Sequence, residues 1–463
     1  MAGKRTDAPE SDPLKSMVKK RRKTDDNEVV HANNEYTLIS LFSGAHGLDL
    51  GLEQAGLTPR CCVEIDEDCC NTLRLNRPEM PVIQRDIRAV TTQEILEAAG
   101  LWEGHAFCVA GGPPCQSFSS GGKRTSILDP RGSLFLEFVR VIRESKPLYF
   151  IFENVAQIVT AAIRHRPIAE RPGKNWNLSA YSRPGAFRTT DDEAPALEAD
   201  ELSGSAIAAI IQEFEKLGYH LTYGVLNSAD FGAPQRRLRF IVLGSRTRAQ
   251  TCLPSPTHRE IEKDGLPRWN TLRTALADLK DEVPLHSNYT EGFQRFFELI
   301  PPGGNWRNLS PELQRSALGN GYAAGGGKTG FFRRLAWDEP APTIVTKPNR
   351  KSCAICHPDE IRPLTVKECA RVQGFPDSWR FTGSMHAQYM QVGNAVPVAL
   401  GRAIGAAIIE AHGVMDAGGA SAGTRVERPE IRREIMLEHA KKVLRHSARN
   451  RIAKAAPAQL TLY

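Results

Sequence analysis

Pro113-Pro114-Cys115 is the group of residues in this 463-residue chain best suited to covalent chemistry. The stretch Gly111-Gly112-Pro113-Pro114-Cys115-Gln116-Ser117-Phe118-Ser119 follows Ala106-Phe107-Cys108-Val109-Ala110, an apolar run that reads as a buried strand. Cys115 is therefore expected on the loop that leaves the strand's C-terminal end, where open α/β sheets place their ligands. Prolines fix φ, so the sulfur would project in a reproducible direction. A thiolate is strongly nucleophilic, but with a pKa of about 8.5 a free thiol needs local help, from backbone N–H groups or a helix N-terminus, to ionise at neutral pH. Most free cysteines are only small buried residues, and this stretch alone does not choose between the two readings.

The elements on either side supply partners. Residues 132–144 have helical spacing, and Leu148-Tyr149-Phe150-Ile151-Phe152 is a second buried strand that ends in Glu153-Asn154-Val155. A right-handed crossover makes the two strands close neighbours and puts Cys115 and Glu153 on one rim. Upstream, the strand Tyr36–Phe42 leads through Ser43-Gly44-Ala45-His46-Gly47 into an amphipathic helix ending near Ala55, an arrangement that holds cofactors at a helix N-terminus. The G-x-G-x-x-G spacing of nicotinamide enzymes is not met. The next strand ends at Glu64, with Asp66 placed to cap the following helix, and a third leads to Asp86. Three successive strand tips bearing glycines, Glu and Asp point to an adenosine-containing cofactor. Ala206–Leu217 reads as a helix, and Leu221–Leu226 and Leu238–Leu243 as the last strands.

In this order, Phe42-Ser43-Gly44-x-x-Gly47, Glu64-Ile65-Asp66, Arg85-Asp86-Ile87, Gly112–Ser119, Glu153-Asn154-Val155, Phe231–Arg239, Arg362–Pro376 and Gln391–Pro397 resemble the motifs of the DNA (cytosine-5)-methyltransferases. The resemblance covers roughly residues 36 to 412. It implies an α/β fold, a Rossmann-like S-adenosylmethionine-dependent methyltransferase sheet with helices on both faces, plus a smaller irregular target-recognition domain. It also implies a cofactor, S-adenosyl-L-methionine, held by Phe42, Gly44, Gly47, Leu48, Glu64, Ile65, Asp86, Ile87, Gly112, Pro114 and Asn394. One departure stands out: His46 occupies the position of the middle glycine in the family's Phe-x-Gly-x-Gly-Gly. Histidine tolerates φ > 0 less readily than glycine, which bears on cofactor affinity or turn shape.

Carbon 5 of cytosine is a poor nucleophile, so a group must first add at carbon 6, and a thiolate suits this because it also leaves again. Addition puts negative charge on the ring nitrogen and carbonyl oxygen. A carboxylic acid at Glu153 could protonate or hydrogen-bond the base edge, and Arg239 could hold the oxygen. The resemblance assigns the same roles to Cys115, Glu153 and Arg239, with Arg237 positioning the catalytic groups. A base inside a duplex must rotate out, at a cost of a few kcal/mol. The Ser/Gly-rich stretch from Gln116 to Gly122 reads as a mobile lid. Gln116, Ser117, Lys123 and Arg124 are expected on DNA, together with Lys328, Arg333, Arg334 and Arg350 downstream.

A formal net charge of +7 is compatible with a polyanionic partner, though 24 % charged residues is ordinary for a soluble protein. No continuous apolar run approaches the ~20 residues of a membrane span. The N-terminus lacks a secretory h-region, and ten cysteines without framework spacing suit a reducing compartment. The expected layout is a charged tail over 1–34 containing Lys19–Lys23, and a catalytic domain over 35–250 with an insertion at about 157–205. A target-recognition domain follows over 251–361, then a return segment over 362–413, and a linker with a charged helix over 414–463. Gly325–Thr329 imitates a phosphate loop but has Tyr322 where a glycine is needed. Cys353-Ala354-Ile355-Cys356-His357 imitates a haem-attachment site in a chain with no secretory signal. No metal is expected. The expected partners are duplex DNA and, as a candidate, a cognate restriction endonuclease, for a monomeric cytoplasmic enzyme without membrane contact. The competing readings are a tRNA cytosine methyltransferase, a catalytically silent DNA-binding regulator and, disfavoured by the glycine spacing, a nicotinamide oxidoreductase.

Overall fold

The computed structural model describes residues 36–114, 134–164, 198–247, 251–279, 286–322, 330–350 and 353–416. The charged tail, residues 115–133, most of the insertion, Lys328 with the phosphate-loop imitation, and the C-terminal linker and helix lie outside the described residues.

Apolar runs in the first half become the strands of one sheet. β1 (Thr37–Leu41), β2 (Thr58–Glu64), β3 (Val82–Gln84), β4 (Cys108–Gly111) and β5 (Tyr149–Val155) run parallel. β6 (His220–Asn227) and β8 (Leu238–Ser245) complete the order β3-β2-β1-β4-β5-β8-β6, and β8 lies antiparallel to both its neighbours. The parallel strands are apolar almost without alternation because helices cover both faces. These are α1 (Gly47–Ala55), α2 (Glu67–Asn76), α3 (Thr92–Ala99), α4 (Leu134–Ser145) and α5 (Ser205–Lys216). Phe135, Phe138, Phe150, Phe152 and Phe214 meet edge-on or tilted between the sheet, α4 and α5, forming the aromatic part of the core.

β4 and β5 pair directly in register, Gly111 opposite Phe152, with α4 crossing between them. The loop leaving β4 and the acid near the end of β5 therefore share one rim. β8 starts at that rim, with Arg239 opposite Val155. The ends of the insertion are tied together: Arg164 bonds Asp200 through Nε at 2.9 Å and also pairs with Glu198, and Gly204 N donates to Ala161 O.

Beyond β8 the elements are short: α6 (Leu272–Leu276), α7 (Glu291–Glu298), α8 (Pro311–Leu318) and two-residue parallel pairings. Tyr289, Phe296, Phe297, Trp306 and Phe332 form a small aromatic cluster separate from the sheet's core. The Cys353/Cys356/His357 group is used internally. Cys353 Sγ donates to Lys347 O, Cys356 Sγ donates to Glu360 O, and His357 Nδ1 accepts from the backbone of Asp359 and Glu360.

The chain then returns to the sheet through α9 (Val366–Gln373), α10 (Met385–Asn394) and α11 (Val398–Asp416). Met385–Gly413 has a window with a mean hydropathy of 1.6 over a length that would cross a membrane, although polar residues interrupt it. Its apolar character serves burial, since most of that window lies inside the protein and α11 packs closely on α1. Gly51 and Gly401 allow the approach: a Cβ on Gly51 would meet Val398 O at 2.2 Å, and one on Gly401 would meet Leu48 O at 2.4 Å.

Candidate active site

Glu153 lies in the last three residues of β5, with its carboxylate 12 % exposed and Oε1 2.7 Å from Arg239 Nε. Gly112 sits against the other oxygen, where a Cβ would lie 2.5 Å from Glu153 Oε2. Asn154 Nδ2 donates to Pro113 O at 3.2 Å, so the strand that carries the acid also fixes the entry of the Pro-Pro-Cys loop. Burial pushes the Glu153 carboxyl above its usual range, opposed by Arg239 and then Arg237. An acid there retains a proton more readily than a free glutamate, as a proton donor near neutral pH requires. Arg239 spends Nε on Glu153 and one Nη1 hydrogen on Leu238 O, which leaves three of its five N–H groups for a ligand.

Arg237 does different work. It is 2 % exposed and donates to Ile344 O, Gly393 O and Asn394 O, so it ties β8 to the 344 loop and to the end of α10. Burial pulls its pKa down, and neighbouring Arg239 adds to this. Gln235, in β7 (Gln235–Arg236), extends the tie. Its Oε1 accepts from Ile344 N, its Nε2 donates to Gln373 Oε1 at 2.7 Å, and Gln373 Nε2 in turn donates to Val392 O and Ala395 O. Asn154, Gln235 and Gln373 were not singled out from sequence. Their signal was adjacency, because each lies inside a stretch read for its charged neighbour.

The turn after β1 has three left-handed residues in five: Phe42 (φ 56°), Gly44 (φ 51°) and His46 (φ 73°). The expectation that histidine resists this conformation meets a buried His46 that adopts it, at a cost of about 1 kcal/mol or more. Gly44 has open space where a Cβ would stand, and its N–H donates to Glu64 Oε2. Glu64 Oε1 accepts from Ile65 N and Asp66 N, so three of its roughly four acceptor positions are filled and one remains for a hydroxyl. Ile65 beside it is 63 % exposed, an apolar surface suited to a flat ring. Asp66 caps α2 by accepting from Cys69 N, as read from sequence.

Other expected cofactor contacts are partly committed elsewhere. Asp86 accepts from Arg88 at N, Nε and Nη2, so most of its acceptor capacity is taken by its own neighbour. Leu48 and Ile87 are buried in the protein, and a Cβ on Gly47 would meet Val396 O at 2.5 Å. Pro114 and Asn394 are exposed.

Of the expected DNA contacts, Cys115's followers Gln116, Ser117, Lys123 and Arg124, and Lys328, lie outside the described residues. Arg350 is exposed and Arg333 half-buried. Arg334 departs from the expectation of a phosphate contact: its guanidinium donates to Pro358 O, Phe297 O, Ile300 O and Asp359 O, which makes it an internal tie between loops. Cys115 itself is not among the described residues, but nine other cysteines are, none of them in a disulfide. Seven are buried, and burial pushes the thiols of Cys61 and Cys70 up to about 12 and that of Cys356 up to about 11. Such thiols are inert at neutral pH.

The model of the C-5 cytosine-specific DNA methylase family matches residues 36–166 and 199–410, leaving out most of the insertion. Type II methyltransferase M.PspPI of Psychrobacter sp. (strain TA137) is 37 % identical over 391 residues, covering 82 % of this chain and 80 % of the relative. M.Sau96I of Staphylococcus aureus is 33 % identical over 384 residues, covering 82 % and 77 %, and M.Eco47II of Escherichia coli is 34 % identical over 388 residues, covering 82 % and 81 %. Among solved structures, a Spodoptera frugiperda DNMT2 triple mutant shares the fold with a TM-score of 0.51 at 16 % identity, over 81 % of this chain and 100 % of that one. The rim geometry, the matched span and these relatives lead to one conclusion: this chain belongs to the C-5 cytosine-specific DNA methylase family and is a type II DNA (cytosine-5-)-methyltransferase.

Proposed function

We propose that the protein transfers a methyl group from S-adenosyl-L-methionine to carbon 5 of a flipped-out cytosine in a specific duplex DNA sequence, through a covalent bond between Cys115 and carbon 6. The observation that carries this reading is the Glu153 carboxylate, buried against Gly112, paired with Arg239 at 2.7 Å, and set beside the strand that feeds Pro113-Pro114-Cys115.

The Cys115 thiolate adds to carbon 6, and the ring's electrons move toward the nitrogen and carbonyl oxygen of the base edge. Glu153, its proton retained by burial, donates to the ring nitrogen, while the free N–H groups of Arg239 hold the oxygen. Carbon 5 is then nucleophilic. S-adenosylmethionine bound at the turn after β1 would supply carbon 5 with an electrophilic methyl group, its sulfonium sulfur being the leaving group. Loss of the carbon 5 proton to a base expels the Cys115 thiolate, and return of the ring-nitrogen proton to the Glu153 carboxylate restores the ring and the acid. Arg237 and Gln235 keep β8 and the return segment in register, so that Arg239 stays aimed at the rim.

The turn fits the cofactor: Gly44 leaves room for close approach, Glu64 retains one acceptor position for a ribose hydroxyl, and Ile65 presents an apolar face to adenine. In this reading residues 251–361 recognise the target, 362–413 complete the catalytic domain, and the 116–124 stretch closes on DNA. The enzyme is a cytoplasmic monomer with a restriction endonuclease as candidate partner.

The test is transfer of labelled methyl from S-adenosylmethionine into duplex DNA or tRNA by the protein and by Cys115→Ser. Label in DNA that is lost in the variant is expected. Label in tRNA alone, or equal labelling by Cys115→Ser, would overturn the proposal. Bisulfite sequencing of the product identifies the recognised site.

A further inference from the structure

His46 stands where an ordinary turn would need only a glycine, and its side chain is enclosed on every side. Nδ1 lies 3.1 Å from Asp49 Oδ2 and Nε2 lies 3.4 Å from Glu53 Oε1, both acids belonging to α1. Cys62 Sγ on β2 approaches Nδ1 at 3.8 Å. The indole of Trp379, between α9 and α10, lies parallel to the imidazole with centroids 5.9 Å apart. Arg77, just after α2, completes the shell: it pairs with Glu53 at 2.6 Å and sits 5.2 Å above Trp379. Asp49 Oδ2 also accepts from Ser40 Oγ, which in turn receives a bond from Ser43 Oγ in the turn. Asp49 Oδ1 is buried without a hydrogen-bond partner, so the carboxylate's negative charge is answered chiefly by the imidazole.

We propose that His46 is a positioning residue for the cofactor turn, an imidazolium clamped between Asp49 and Glu53 that holds residues 42–47 in shape and fastens them to Trp379 of the return segment. A ring with an acid at each nitrogen must donate from both, and a neutral imidazole can donate from only one. Burial alone would lower the pKa of His46, but Asp49 and Cys62 outweigh it and hold it well above the ordinary value. Glu53 is correspondingly drawn down to about 2, burial being overcome by His46 and Arg77. Loss of the proton would leave buried Asp49 and half-buried Glu53 sharing one imidazole donor, and the left-handed turn would lose part of what offsets its strain. The consequence is an affinity for S-adenosylmethionine and its product that depends on pH through a residue that does not touch the cofactor.

This inference rests on the reading of the turn as the cofactor site, and the experiment separates the two. S-adenosylhomocysteine binding is measured by calorimetry on the full-length protein between about pH 7 and pH 10, with wild type, His46→Gly and His46→Asn. Glycine and asparagine both tolerate positive φ, so either keeps the turn accessible while removing the charge. The wild type is expected to bind, and to weaken as pH rises through the pKa of His46. Both variants are expected to bind about five- to tenfold more weakly at pH 7 and to lose the pH dependence, a factor in the usual range for coupled sites. No binding by a folded wild type would sink the cofactor reading itself. Wild-type binding with His46→Gly matching it at every pH would overturn the role of His46 alone. Should both variants fail to fold, the wild-type profile decides, because a flat affinity across that pH range excludes the imidazolium clamp.

Discussion

Gly112→Ala tests the rim geometry more sharply than removal of a charged group. The added methyl carbon would stand 2.5 Å from Glu153 Oε2 and 3.4 Å from Glu153 O. Ordinary carbon–oxygen contact needs about 3.3–3.5 Å, so the carboxylate must retreat by about 0.8–1 Å. The Arg239–Glu153 bond, 2.7 Å long, would then stretch beyond hydrogen-bonding range. A misplacement of about 1 Å in a catalytic group costs on the order of 10²-fold in rate, or about 2.7 kcal/mol of barrier. Overpacking should also lower stability by about 1–3 kcal/mol. The assay is methyl transfer to duplex DNA at saturating cofactor, together with urea unfolding of Gly112→Ala, Glu153→Ala and the double variant. If the clash is with the carboxylate, the double variant recovers part of the stability lost in Gly112→Ala, a coupling visible in the cycle. Transfer within threefold of wild type (about 0.7 kcal/mol of barrier), or strictly additive stabilities, would refute the argument.

Arg237→Ala should destabilise by about 3 kcal/mol or more, since it orphans the carbonyls of Ile344, Gly393 and Asn394; urea midpoints measure this, and a shift under 1 kcal/mol would contradict a tying role. Gly51→Ala should cost about 3 kcal/mol, because its Cβ would meet the α11 backbone at 2.2 and 2.5 Å rather than a yielding side chain; an unchanged melting temperature would show that the helices can separate freely. Glu53→Gln should show its largest stability deficit above about pH 4.3, the ordinary glutamate value. Its pKa is depressed in the folded state to about 2, so the carboxylate's contribution is present above the unfolded value and disappears as pH falls through about 2. Paired urea titrations at several pH values check the sign, and a deficit that grows on acidification would reverse it.

The sheet was legible because strands buried on both faces leave long apolar runs, and the crossover rule then places their ends. Glu153 and the Pro-Pro loop could be put on one rim with no knowledge of side-chain contacts. Arg334 shows where that reasoning stops. Its charge is visible in the sequence, but the four carbonyls that absorb it come from residues 297, 300, 358 and 359, which converge only once the loops are folded. Arg237 and Arg239 make the same point within one motif. They are two residues apart on or beside an edge of β8, yet one is spent on backbone carbonyls and the other reaches the acid at the rim.

His46 is the instructive failure of a sound rule. Steric cost at positive φ rightly marked the position as unusual, but the cost is local, whereas the groups that offset it lie on α1, β2 and, through Trp379, a segment more than 300 residues away. A reading by local conformation therefore expects a weakened turn. The folded protein instead has a turn whose strain is answered by a charge cluster around a buried imidazole, so the residue that breaks the family pattern also joins the turn after β1 to the return segment. If that is its role, restoring glycine at position 46 should relax the backbone and still weaken cofactor binding, an outcome that local strain alone predicts with the opposite sign.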